Sequence, residues 1–245
     1  MIRGLYIAAT GMLAQNRRQD VIANNLANVT TTGFKRDSTA TTPFADMLVS
    51  NLGVPGTPQV GTLSLGAQVS GITTVTSAGA VSSTGNQLDV ALLGSGWISV
   101  DAQGGRRYTR GGHLEADAKG TLLAGGSPVE GVNGKPIVID PNSGPVTIAP
   151  DGTVTQEGQT KGRLRIASLD PATVKKEGES LVAGTETGTP TAVVKQGHLE
   201  ASNVNTVTEM VELIEVMRAF EANQKAALAH SETLQDAVTK VGAVR

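Results

Sequence analysis

Proline and glycine are confined to one part of this chain. All ten prolines fall between Pro43 and Pro190, and 27 of the 30 glycines fall between Gly33 and Gly197, leaving Gly4, Gly11 and Gly242 outside. A proline inside a helix costs about 3 kcal/mol and a glycine about 1 kcal/mol. The two ends of the 245-residue chain are therefore free to be helical, and the middle is not. The pattern predicts an α+β protein: N- and C-terminal α-helices that pair in a coiled-coil-like layer, with a central antiparallel β domain that is a sandwich or a partial barrel.

The C-terminal helix is expected from Thr206, where Thr206-Val207-Thr208-Glu209 has the form of a capping box, to a stop near Gly242. At 100° per residue, Met210, Leu213, Ile214, Val216, Met217, Phe220, Leu228, Leu234 and Val238 share a sector about 160° wide. A helix lying on one core needs a stripe of only about 100°, so this one requires more than one neighbour. The N-terminal helix is expected over 2–27. Leu5, Met12, Gln19 and Leu26 recur every seven residues, with Ala8, Gln15 and Ile22 as companions, a spacing that favours left-handed supercoiling. The apolar run after Arg3 contains Gly11 and has Met12 where a cleavage site ending at Ala14 needs a small residue, so no cleaved signal is expected.

The middle reads as short strands joined by tight turns. Asp89–Leu93, the turn Gly94-Ser95-Gly96 and Trp97–Val100 form a strand–turn–strand pattern, and Arg106–Arg110 lies between glycine pairs as another strand. Lys119-Gly120 leads into Thr121–Leu123, Asn133-Gly134 is a turn, and Val146–Ile148 returns through Asp151-Gly152 to Val154 as a hairpin. The Thr39–Gly79 stretch, rich in Thr, Ser, Gly and Pro, reads as an extended linker with one or two edge strands.

No catalytic, cofactor or metal motif stands out. The chain lacks cysteine, which excludes disulfides, thiolate metal sites and thiol nucleophiles. His113, His198 and His230 show no metal-ligand spacing. His113-Leu114-Glu115 and His198-Leu199-Glu200 are expected to be polar positions on a solvated face, and Glu177 and Glu179 beside Lys175 and Lys176 a solvated charge run. Gly94-Ser95-Gly96 lacks the spacing of a nucleophile elbow, and Gly134-Lys135-Pro136 lacks that of a phosphate loop. With 20 basic and 22 acidic residues there is no electrostatic footprint for nucleic acid, and no apolar run approaches the roughly 18 residues of a membrane helix. Six aromatic residues are few, so contacts with partners must be mostly aliphatic.

Specificity gathers near the ends. Ala23–Lys35, with Asn-Leu-Ala-Asn followed by Thr-Thr-Gly-Phe-Lys, resembles the N-terminal signature of flagellar basal-body rod and hook proteins. Gly197–Val204 resembles their Gly-x-Leu-Glu-x-Ser-Asn-Val motif, and Arg218–Asn223 their Arg-Ala-aromatic-Glu-x-Asn element. Asp89–Trp97 and Tyr108–Gly112 are similar to two central elements, with Trp97 where phenylalanine is usual. The order is preserved along nearly the whole chain, and the size resembles rod members of the FlgF/FlgG type. The resemblance implies a non-enzymatic, cofactor-free structural subunit of the basal-body rod, with the proximal rod favoured over the distal. It implies export through the flagellar type III apparatus without a cleaved signal, and extracytoplasmic assembly with copies of itself and with homologous rod and hook proteins. The implied division is 1–33 and 197–245 as an inner tube layer, 34–80 as the linker and 81–196 as the β domain. The expected assembly interface comprises Leu5, Met12, Asn25, Leu26, Asn28, Gly33 and Phe34 near the N-terminus. Near the C-terminus it comprises Asn203, Met210, Leu213, Ile214, Met217, Phe220, Leu228 and Leu234. The two ends are expected to be nascently helical in the monomer and to fold on assembly. A β-rich adhesin or a tail-tube-like subunit, the competing readings, leaves the long proline-free ends unexplained.

Overall fold

The structure, a computed structural model, describes residues 2–43, 46–49, 61–64, 66–102, 105–178 and 180–242. The two helices fall where the absence of proline permits them: α1 spans Ile2–Ala27 and α2 spans Thr206–Gly242, 37 residues and about 55 Å at 1.5 Å per residue. Between them lies an antiparallel β region of small open sheets. The chain forms two compact units, each built from separated segments. One comprises Met1–Asn24, Ser38–Ile72 and Thr206–Arg245; the other comprises Asn25–Asp37 and Thr73–Asn205.

In the β unit the largest sheet has five strands, in the order Ile166–Ala167, Trp97–Ala102, Gly105–Thr109, Leu181–Ala183 and Lys175–Glu177. Successive residues of a strand face opposite sides, and Trp97–Ala102 uses both. Ile98 and Val100 enter the main core with Val90, Leu114, Leu122, Val129 and Val154. Trp97 instead joins Tyr108, Leu169, Val174 and Val182 in a smaller cluster. The hairpin through Asp151-Gly152 is present: Val146–Ile148 pairs with Thr153–Gln156, and Asp151 accepts from the Thr153 N–H and hydroxyl. Val90–Leu93 and Trp97–Ala102 are both strands, but they are not partners. The first pairs with Val193–Gln196, the second with Gly105–Thr109.

In the helical unit, α1 and α2 run in opposite senses. A Cβ on Gly4 would lie 2.4 Å from the His230 ring, and one on Gly11 would lie 2.9 Å from the Asn223 side chain. The two contacts are seven residues apart on each helix. Along α2, Leu213, Val216, Phe220, Asn223, Ala227, His230, Leu234 and Ala237 are buried or half-buried at alternating steps of three and four, the spacing of a helix seam. On α1 the contact falls on Gly4 and Gly11, one residue before Leu5 and Met12. The expected linker contributes strands at Asp37–Pro43, Asp46–Val49, Gly61–Ser64 and Ala67–Thr74. Within Thr39–Gly79, residues 44–45, 50–60 and 65 lie outside the described residues.

Candidate assembly interface

The segment after α1 is built from short polar side chains that bond nearby backbone. Asn25 accepts from the Asp37 N–H and donates to the Asp37 carbonyl, both at 2.9 Å, clasping the two ends of the loop. Within it, the Thr31 hydroxyl donates to the Asn28 side chain at 3.1 Å. Gly33 has φ +70°, and a Cβ there would lie 2.3 Å from the Arg110 carbonyl carbon. Glycine alone fits both the left-handed backbone and the close approach. The Gly33 N–H donates to the Glu200 carbonyl at 2.8 Å.

Three motif segments converge on the Glu200 side chain, which is fully buried. Lys35 Nζ donates to Oε1 at 2.5 Å, Arg110 Nη1 to Oε2 at 2.8 Å, and the Gly79 N–H to Oε1 at 2.9 Å. Lys35 also donates to the Ser77 carbonyl, and Arg110 to the carbonyls of Leu92 and Gly94. The Arg110 guanidinium lies 5.7 Å from the Trp97 ring centroid. Burial alone would raise the Glu200 pKa, but the Lys35 and Gly79 hydrogen bonds and the Arg110 charge outweigh it and hold the carboxyl below its ordinary value. With two cations against one carboxylate, burial and the Arg110 charge pull the Lys35 pKa down despite its bond to Glu200. Solvation of Glu200, expected from its alternation with His198, is thus overturned: its partners lie 165 and 90 residues away, and they supply the charge that water would.

Neighbouring contacts complete the knot. Asn203 accepts from the Arg36 N–H at 2.7 Å and donates to the carbonyls of Val75 and Ser77. Phe34 is buried beneath the Lys176 ammonium, 3.7 Å from its ring centroid, and Lys176 pairs with Asp37 at 2.9 Å. Lys176 therefore does not belong to a solvated charge run; burial lowers its pKa, incompletely offset by Asp37. Four of the expected interface residues, Asn25, Gly33, Phe34 and Asn203, are engaged with one another's neighbourhood inside the β unit. Asn28 and Leu26 are half-buried.

The remaining candidates lie on the helices and divide by exposure. Leu213, Phe220, Leu234 and Met12 are half-buried. Met210, Ile214, Met217 and Leu228 leave 48%, 51%, 47% and 57% of their surface in water, and Leu5 leaves 38%. The wide apolar sector of α2 is thus half used within the chain and half open. Among the described residues no cluster of three His, Asp or Glu could hold a metal, and no helix is long and apolar enough to cross a membrane. In a cavity of about 160 Å³ bounded by Asp101, Arg106, Glu130, Gly134 and Pro136, charged groups do converge. There Arg106 and Glu130 pair through two hydrogen bonds of 2.6 Å and neutralise each other.

Residues 5–35 match the family described as flagella basal body rod protein. Residues 91–156 match the flagellar hook protein FlgE/F/G D1 domain, and 195–239 the flagellar basal body rod FlgEFG protein C-terminal region. The chain is 34% identical over 252 positions to the flagellar basal-body rod protein FlgF of Caulobacter vibrioides, covering all of both chains. It is 36% identical over 257 positions to the FlgG rod protein of Agrobacterium fabrum, covering 91% of this chain and 94% of that one. It is also 34% identical over 260 positions to the FlgG rod protein of Bacillus subtilis, covering 97% and 98%.

Proposed function

Because this chain belongs to the flagellar basal-body rod family, of the FlgF/FlgG type, we propose that it polymerises through its terminal helices into the axial tube of the rod. Its role is structural and its place is the flagellar basal body. The observation that carries the polymerisation is the exposed row Met210, Ile214 and Met217 on α2. An exposed apolar row of this kind supports an interaction surface, and subunits joined head to tail by non-closing contacts form helical tubes. Coiled-coil packing of the terminal helices in the inner layer agrees with the seven-residue spacing of the Gly4 and Gly11 contacts. Export through the flagellar type III apparatus, without a cleaved signal, belongs to the same reading. So do the partners, copies of this chain and homologous rod and hook proteins, and the absence of enzymatic activity.

The proximal rod, the position that the family resemblance gives FlgF-like subunits, is favoured over the distal rod of FlgG-like subunits. The FlgF alignment spans 252 positions for the whole chain, whereas the A. fabrum FlgG alignment needs 257 positions to match 91% of it. This chain thus lacks residues that its FlgG relatives carry.

Two measurements test the proposal. Met217→Asp places a carboxylate on the exposed row; it should abolish incorporation into purified basal bodies while leaving the β unit folded, and normal rods and motility would overturn the reading. Most of the stability of such helices comes from packing their apolar faces, which in this reading forms on assembly, so amide exchange on the monomer should be fast outside about 34–197. Strong protection of Val207–Leu234 before assembly would exclude folding on assembly.

A further inference from the structure

The Glu200 cluster carries more positive charge than it neutralises. Among the described residues, Glu200 is the one carboxylate in ion-pair contact with Lys35 or Arg110, whose side chains are 1% and 4% exposed. A buried charge without a counter-charge is costly, and an anion held beside either cation removes that cost. Burial and the Arg110 charge pull the Lys35 pKa down, the response of a cluster short of one anion.

Arg110 is the cation with donors to spare. Of the five N–H bonds of its guanidinium, Nη1 uses two, on Glu200 and the Leu92 carbonyl, and Nη2 uses one, on the Gly94 carbonyl. Nε is buried and has no partner among the described residues. Nε–H and one N–H of Nη2 thus remain, the number that a carboxylate takes when it binds a guanidinium through both oxygens.

Arg110 also lines a cavity of about 250 Å³ within the β unit. Buried Trp97 and Leu169 give this cavity apolar walls, and the hydroxyls of Thr76 and Ser168 border it. Ala78 and Ser95 border it too and are exposed, so it opens to solvent. The space equals that of about eight waters, enough for a carboxylate with two or three carbons behind it. One negative charge balances the cluster, whereas a dianion such as phosphate would bury an excess of the opposite sign.

We propose that this cavity binds a carboxylate carried on a short aliphatic stem, with Arg110 holding the oxygens and Trp97 and Leu169 packing on the stem. The carboxylate belongs to a small organic acid or to an Asp or Glu side chain of a second copy of this chain. The site lies wholly in the β unit, so it is independent of polymerisation through the helices.

Trp97 is the only tryptophan in the chain, and its fluorescence therefore reports on this cavity. Sodium propionate, titrated into the purified chain at ionic strength held constant with sodium chloride, should change the emission saturably, with half the effect at about 10 mM or below. At about ten times that concentration the melting temperature of the β unit should rise by about 3 °C. Propionamide, which has the same shape without the charge, should bind at least tenfold more weakly. Ala78→Phe narrows the opening from an exposed position; it should weaken propionate binding at least tenfold and leave the melting temperature without propionate within about 2 °C of wild type. No saturable change, equal effects of propionate and propionamide, or undiminished binding by Ala78→Phe would overturn the proposal. Sedimentation velocity separates the two sources. Propionate should dissociate oligomers of the concentrated chain if the carboxylate comes from a second copy, and should leave sedimentation unchanged if it comes from a small acid.

Discussion

In the β unit Val100, Val129 and Val154 are completely shielded from solvent, whereas on α2 Met210, Ile214 and Met217 keep about half their surface in water. The same contrast holds for charge. Glu200 is buried and paired on both oxygens, while Arg17 and Glu221 are exposed and form no ion pair with the described residues. One region satisfies most of its groups within the chain; the other leaves apolar and charged groups exposed. Damage to the first should therefore appear as lost stability, and damage to the second as lost assembly.

The strongest way to break this contrast is Glu200→Ala. Removing one partner of a buried ion cluster leaves the others uncompensated, at a cost of about 3–5 kcal/mol, here with both Lys35 and Arg110 stranded. Thermal denaturation followed by circular dichroism should show the melting temperature of the β unit lowered by about 10 °C or more. An unchanged melting temperature would show that the knot around Glu200 does not hold the unit. The acid limb sharpens the same point. Glu200 has a folded pKa below its unfolded value of 4.5, so its contribution is complete above that pH and is lost as pH falls through the folded pKa. Glu200→Gln should flatten that part of the pH–stability curve.

Gly33→Ala comes next. The left-handed backbone costs a residue with a Cβ about 1–2 kcal/mol, and the clash with the Arg110 carbonyl carbon must push that segment aside. A loss of about 2 kcal/mol or more is expected in denaturant titration, because the shift disturbs the donor side of the Glu200 cluster. A neutral result would mean that the turn relaxes without consulting Arg110.

Much of the helical architecture was legible in the sequence, because proline, glycine and capping residues act locally. α2 begins at Thr206, where the capping-box pattern places it, and remains helical through Gly242, the last described residue. Part of the wide α2 apolar sector stays exposed, and which half faces α1 depends on Gly4 and Gly11 at the far end of the chain. The Glu200 cluster was hidden for the same reason. Lys35, Arg110 and Glu200 sit in three segments that look polar one at a time, and only long-range pairing buries them together. A single charge within each otherwise uncharged motif, Gly-Phe-Lys, Tyr-Thr-Arg-Gly and Leu-Glu-Ala-Ser-Asn, was the available signal. Strand partnership failed likewise: Val90–Leu93 pairs with Val193–Gln196, about a hundred residues away, and not with the strand that follows it.

The smallest expected effect is that of His113→Ala. His113 Nδ1 lies 2.7 Å from Asp89 and Nε2 lies 3.3 Å from Glu115, and half of the His113 side chain is exposed. The hydrogen bond to Asp89 outweighs burial and raises the His113 pKa above 6.5. A base whose folded pKa is raised stabilises fully below its unfolded value, and that contribution disappears as pH rises through the folded pKa. Wild type should therefore lose a little stability as pH rises through and above 6.5, and His113→Ala should remove the slope. The exposed side chain limits the difference to about 1 kcal/mol or less. Asp89 stays satisfied without the ring, because it also accepts from the Thr84 hydroxyl at 2.6 Å and from Asn86 at 3.1 Å. A large loss of stability in this variant would mean that the β unit depends on its surface charges as well as on its buried ones, and the contrast with the helices would narrow.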